Sequence, residues 1–231
     1  MVEPAQVMLV TPHPDDAEFG AAGTVAYLVA EGKEVIYVVC TNGDKGTSDR
    51  QLQPEALARI REQEQRAAAG VLGVREVIFL GYPDQALEYT PLFRKQIVRL
   101  IRSYRPQTVI TVDPYHRYFW WHHDHRICGQ VVLDAIFPYA RDHLAYPDLL
   151  KEGLEPHKVN ELLLFNTDNP NYRVNITDTF DLKLAALLCH QSQVADFTSQ
   201  LKEKLRQWAQ ETAKEEEFEL AEAFHRVDIW W

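Results

Sequence analysis

Two short segments concentrate the residues able to hold a cation and move protons. The first is Pro12-His13-Pro14-Asp15-Asp16, one imidazole beside two adjacent carboxylates. Neighbouring aspartates cannot both be buried and ionised without positive charge close by, and a metal ion would meet that need. Each proline fixes its own φ near about −65° and biases the preceding residue to an extended backbone, so the side chains around Pro14 are stiffly held. A plainer role is open to the same residues, since Asp15 or Asp16 could simply cap a helix starting near Glu18. The second segment, Asp113 to His125, reads DPYHRYFWWHHDH and carries His116, His122, His123 and His125. His122 and His125 stand at i and i+3, which puts their Cβ atoms on one helical face roughly 5–6 Å apart. His123 faces elsewhere, and Asp124 is placed to fix the tautomer of a neighbouring imidazole. Imidazole and carboxylate donors in this number suit Zn²⁺ or another divalent transition ion, with one position left for water. An open position marks a catalytic metal site.

The elements that must position these segments are legible from apolar patterning. Residues 6–12, 34–41, 76–82, 107–114 and 161–167 have the composition of strands buried on both faces. Helical spacing fills the intervals: 18–31 up to a stop signal at Gly32, 54–72 opening at Pro54, and 91–104 between Pro91 and Pro106. The alternation predicts an α/β fold, a Rossmann-like and mostly parallel sheet flanked by helices. Ligands of such sheets bind beyond the carboxyl ends of the strands, which places both segments on one rim. After residue 165 the pattern reads as loop, short strand and turn, then a helical C-terminal appendage. Within 212–224, Phe218, Leu220, Ala221 and Phe224 would give an acidic helix its apolar side. With no repeat and no linker, residues 1–231 are expected to form one domain, its α/β core in 1–165 and its C-terminal strand and helices in 166–231. GAAGT at 20–24 lacks the glycine spacing of a dinucleotide-binding loop, and the acidic residues ahead of it would repel a pyrophosphate.

Composition narrows the partners. The 231 residues are 46% hydrophobic, enough for a substantial core, and 34 acidic against 24 basic residues leave a formal charge of −10. That balance argues against a sequence-independent grip on nucleic acid. No basic leader with a long apolar run and no stretch of about 18 apolar residues is present, so export and membrane embedding are not expected. Cys40, Cys128 and Cys189 form no C-x-x-C pair, which points to a reduced, cytoplasmic protein without a thiolate zinc site. Tyr115, Tyr118, Phe119, Trp120 and Trp121 read as a substrate wall on which a sugar or ring face stacks.

PHPDD after the first strand and H-x-D-H after the fourth resemble the LmbE-like, PIG-L family of zinc-dependent de-N-acetylases. TNGDKGT at 41–47, Arg61 with Glu64, Tyr82-Pro83-Asp84 and His190 to Gln193 resemble further family segments in the same order. Within the family the chain is most similar to the diacetylchitobiose and bacillithiol-pathway deacetylase branches. The resemblance implies zinc held by His13, Asp16 and His125, with Asp15 as general base. It implies that His122 stabilises the oxyanion, that Asp124 orients His122, and that Arg61 contacts substrate; Tyr118 and Trp120 join the substrate-binding candidates from the aromatic run itself. It implies a soluble N-acetyl amino sugar as substrate, acetate as product, and a homo-oligomer, trimer or hexamer. The chain departs from many members at Ala17, where they carry Glu, and at His123, where they carry Pro. Two other readings fit a metal rim: a metal-dependent phosphoesterase, and a sugar-binding homologue without turnover.

Overall fold

Strands β1 (Val7–Thr11) and β4 (Thr108–Val112) lie side by side in parallel at the centre of the sheet, and this pairing brings the two histidine-bearing segments together. The computed structural model describes residues 2–117 and 122–230. The other strands are β2 (Val35–Thr41), β3 (Glu76–Tyr82), β5 (Glu161–Phe165), β6 (Tyr172–Asn175) and β7 (Ala221–Asp228), and the seven are ordered β3-β2-β1-β4-β5-β7-β6. The first five are mutually parallel, while β7 runs antiparallel to both β5 and β6. Chain order reverses between β1 and β4, so the crevice beyond their carboxyl ends is the expected ligand site of the topology.

The helices are α1 (Asp16–Ala30), α2 (Pro54–Leu72), α3 (Pro91–Tyr104), α4 (His123–Asp134), α5 (Pro147–Lys151), α6 (Phe180–Leu187), α7 (Gln191–Val194) and α8 (Thr198–Thr212). Their ends follow local chemistry. Pro54 and Pro91 open α2 and α3, Thr90 Oγ1 accepts from the Phe93 amide, and Gly73 at φ 75° closes α2. Glycines 20 and 23 of α1 serve close packing: a Cβ on Gly20 would stand 2.4 Å from the Phe165 ring, and one on Gly23 would stand 2.7 Å from Ile176. No helix among the described residues is long and apolar enough to cross a membrane.

The C-terminal segment differs from its sequence reading. Residues 221–228 form β7, not the end of an acidic helix, and Phe224 is buried in the sheet opposite Tyr172. The acidic pattern misleads because Glu222 is neutralised inside the protein. Its carboxylate accepts from Lys183 Nζ at 2.6 Å, from the Gly23 and Thr24 amides at 3.0 and 2.7 Å, and from Thr24 Oγ1 at 2.6 Å. Lys183 also donates to the Phe19 carbonyl at 2.7 Å, so one buried ion pair ties β7 to α1 and α6. Lys183→Met leaves that carboxylate buried without its cation, and urea denaturation should show a loss of about 3–5 kcal/mol. A change below about 1 kcal/mol would mean that the pair is no better than an exposed one.

Candidate metal centre

The turn after β1 and the start of α4 bring His13, Asp16, His122 and His125 to one place. His13, His122 and His125 each offer a ring nitrogen within 4.8 Å of the others. Asp16 Oδ2 lies 3.0 Å from His13 Nδ1 and 3.3 Å from His125 Nε2. Donors bound to zinc at about 2.0–2.1 Å in a tetrahedron stand roughly 3.3 Å apart, so the two separations from Asp16 match the spacing that a divalent ion asks of its donors. The charge state fits as well. Burial would lower the His13 imidazole, yet its hydrogen bonds to Asp124, Asp16 and Asp84 hold it well above the ordinary histidine value. Burial would raise Asp16, but His125 and His13 hold it well below the ordinary carboxylate range. A proton on His13 thus sits where the donors call for a cation.

The other nitrogen of His13 faces carboxylates. Nε2 is 3.1 Å from Asp84 Oδ1 and 3.2 Å from Asp124 Oδ2, an arrangement that keeps its proton there and leaves Nδ1 to a cation. Burial would raise Asp84, but His13 and Arg61 draw it down to about 2. Asp84 was present in the sequence only as part of Tyr82-Pro83-Asp84; its place at the carboxyl end of β3 is the signal that could have marked it. Asp124 also differs from its sequence reading. Its carboxylate binds His13 and the Gln85 and Leu87 amides, while its link to His122 runs through its backbone amide, which donates to His122 Nδ1 at 3.2 Å. The reason is positional, because His122 caps α4 and its ring turns back over the first turn of the helix. With Nδ1 accepting, the neutral His122 ring carries its proton on Nε2. Burial lowers the His122 imidazole, and the charges of His13 and His125 lower it further, so the neutral form is favoured over the protonated one.

Asp15 is the strained residue of the site. Its φ of 92° and ψ of −28° are left-handed, a conformation that costs a non-glycine residue roughly 1–2 kcal/mol. It precedes α1, yet its side chain makes no capping hydrogen bond, which removes the plainer reading for Asp15. Its Oδ2 instead accepts from Arg61 Nη2 at 3.1 Å. Burial pushes the Asp15 carboxyl up to about 6, with Asp16 adding to the rise and Arg61 opposing it. Arg61 is itself buried and also donates to the Pro14 carbonyl at 2.6 Å and the Gly43 carbonyl at 3.1 Å.

Four other histidines are engaged away from this donor set. His123 lies against the Leu87 carbonyl at 2.7 Å, His116 pairs with Asp168 at 3.3 Å, and His225 meets the Asn169 carbonyl at 2.7 Å. His190 is buried against Glu18 at 3.1 Å. Tyr118 and Trp120, assigned to substrate from sequence, lie outside the described residues.

Residues 8–136, which carry both segments, match the family model described as PIG-L, GlcNAc-PI de-N-acetylase. The chain belongs to the PIG-L family. It is 36% identical over 188 residues to a PIG-L relative, the diacetylchitobiose deacetylase of Thermococcus kodakarensis, covering 81% of this chain and 70% of that protein. Over 192 residues it is 30% identical to a probable N-acetyl-alpha-D-glucosaminyl L-malate deacetylase 2 of Bacillus cereus, covering 81% of this chain and 83% of the other. Among solved structures, the N,N'-diacetylchitobiose deacetylase of Pyrococcus horikoshii superposes with a TM-score of 0.91 at 33% identity, over 97% of this chain and 84% of that one. The superposition agrees with the mostly parallel sheet flanked by helices.

Proposed function

We propose that this chain is a zinc-dependent N-deacetylase that cleaves the acetamide of an N-acetylglucosamine-type sugar or conjugate, releasing acetate and a free amine. The observation that carries the reading is the donor triangle of His13, Asp16 and His125 with the non-capping carboxylate of Asp15 beside it. The similar diacetylchitobiose and N-acetylglucosaminyl malate deacetylases support the substrate class.

His13, Asp16 and His125 would hold the ion. When bound, a zinc ion supplies Lewis acidity toward the acetamide carbonyl and lowers the pKa of the attacking water toward about 7. Asp15 takes the proton of that water as it attacks, with Arg61 fixing the carboxylate that receives it. His122 donates from Nε2 to the carbonyl oxygen as it gains charge, and Asp124 holds His122 through its amide and His13 through its carboxylate. The proton on Asp15 then passes to the departing nitrogen, which leaves as the free amine. Arg61, Tyr118 and Trp120 are proposed to meet the sugar, and for Arg61 the support is its position beside Asp15.

A homo-oligomer, trimer or hexamer, is part of the same proposal. Its support is a hollow of about 550 Å³ whose apolar side chains include Tyr89, Tyr115, Leu133, Phe137 and Ile229, with Gln130 and Asp134 also in its wall and exposed Trp230 next in the chain. A cytoplasmic setting is supported by the three free cysteines.

Substrate competition tests the reaction class. Zinc-loaded protein should release acetate from N,N'-diacetylchitobiose and leave p-nitrophenyl phosphate intact. Hydrolysis of the phosphate without acetate release would move the site to the phosphoesterase class.

A further inference from the structure

The left-handed turn at Asp15 is held by a chain of polar groups that the proposed reaction does not use. The Asp15 amide donates to Gln65 Oε1 at 2.9 Å, Gln65 Nε2 donates to Glu18 Oε1 at 2.9 Å, and Glu18 Oε2 meets His190 Nε2 at 3.1 Å. Gln65, Glu18 and His190 are each 0% exposed. Buried polar networks of this kind are often replaceable by apolar side chains at no loss of stability, so their presence beside a strained residue calls for a role.

Geometry supplies one. The Pro14 carbonyl and the Asp15 amide are the two ends of a single peptide plane. Arg61 donates to the first and Gln65 accepts from the second. Arg61 and Gln65 are i and i+4 on α2, neighbours on one helical face, so two successive turns of one helix grip both ends of that plane. A peptide plane fixed at both ends sets φ of the residue that follows it, here Asp15. Glu18 decides which way the Gln65 amide points: a carboxylate can only accept, so it takes the NH₂ end and leaves the oxygen to Asp15. His190 occupies the other oxygen of Glu18.

We propose that Gln65, oriented by Glu18 and His190, is a positioning residue that clamps the Pro14–Asp15 peptide together with Arg61 and thereby aims the Asp15 carboxylate. The inference rests on Asp15 being the base, as proposed above. Gln65→Met keeps the length of the side chain and removes both hydrogen bonds. In acetate release from N,N'-diacetylchitobiose, kcat should fall about 10- to 100-fold, the cost of a reacting group displaced by about an ångström, with KM and zinc content unchanged. In an Asp15→Asn background the same substitution should cost nothing further, because the group it positions is already gone. Glu18→Gln still accepts from Gln65 and should lose less than about 3-fold, whereas Glu18→Leu should fall with Gln65→Met. If Gln65→Met does not fold, Gln65→Asn, which is one methylene short of the Asp15 amide, carries the same comparison.

A kcat within about 2-fold of wild type, a repeated loss in the Asp15→Asn background, or loss of zinc would each overturn the clamp. A crystal structure of Gln65→Met reads it without any assay: Asp15 should leave φ near 92°, and an unchanged φ overturns the inference. Absence of acetate release from wild type, with the φ of Asp15 moving as expected in the variant, would instead refute the deacetylase reading and leave the clamp standing.

Discussion

Asp15→Asn should keep the fold and the metal while lowering kcat for acetate release about 100- to 10,000-fold, the range removed with a general base. The substitution is nearly isosteric. Asparagine tolerates the left-handed backbone at φ 92°, its backbone N–H can still donate to Gln65, and its side-chain oxygen can still accept from Arg61. What it lacks is a basic oxygen to take the proton of the attacking water. KM should change little, because no substrate contact is assigned to the lost charge. Initial rates together with elemental zinc analysis on the same sample separate the two effects. Zinc retained with wild-type kcat would show that another group is the base; zinc lost would show that Asp15 is a ligand.

Metal removal is the second large effect, and its consequence for stability differs from its consequence for activity. Chelated protein should release no acetate and recover on addition of Zn²⁺. It should nonetheless remain folded, because His13 with its raised pKa carries a proton between Asp16 on one side and Asp84 and Asp124 on the other. That proton replaces part of the attraction an ion provides. A ligand present at 1,000 times its Kd stabilises by about 4 kcal/mol, and at about 2–4 °C per kcal/mol for a chain of this size Tm should drop by roughly 8–16 °C on chelation. Circular dichroism should report an intact α/β fold below that lowered Tm. Full activity in a sample stripped of metal would contradict the site assignment, and unfolding at all temperatures would contradict the role given to His13.

How much of this was legible in the sequence follows from how the residues are distributed along the chain. His13, Asp15 and Asp16 stand within four positions, and His122, Asp124 and His125 within another four, so their clustering was visible before any fold was known. The parallel sheet was visible for a similar reason, since strands buried on both faces are continuous apolar runs. Asp84 was harder, because only the pairing of β2 with β3 and of β1 with β2 carries it to His13. Gln65 and Glu18 gave no signal of burial, as polar residues on helices are usually solvated, and His190 was marked only as part of the His190 to Gln193 segment, with nothing local to announce that the three are buried together. The contact of the Asp124 carboxylate was not legible, because sequence proximity points to His122, whereas the fold aims the carboxylate across the crevice at His13 and leaves the backbone amide to His122. In β7, Glu222 reads as surface until Lys183 and the amides of α1 are brought to it by tertiary structure.

The most direct measurement is a zinc titration of chelated protein in which acetate and free amine from N,N'-diacetylchitobiose are counted together. Acetate and amine should appear in equal amounts, with the rate rising in proportion to added zinc and levelling at about one ion per chain, as a site with three protein ligands and an open position requires. Amide cleavage that is complete before any zinc is added, or no acetate at any zinc occupancy, would contradict metal-dependent deacetylation at His13, Asp16 and His125.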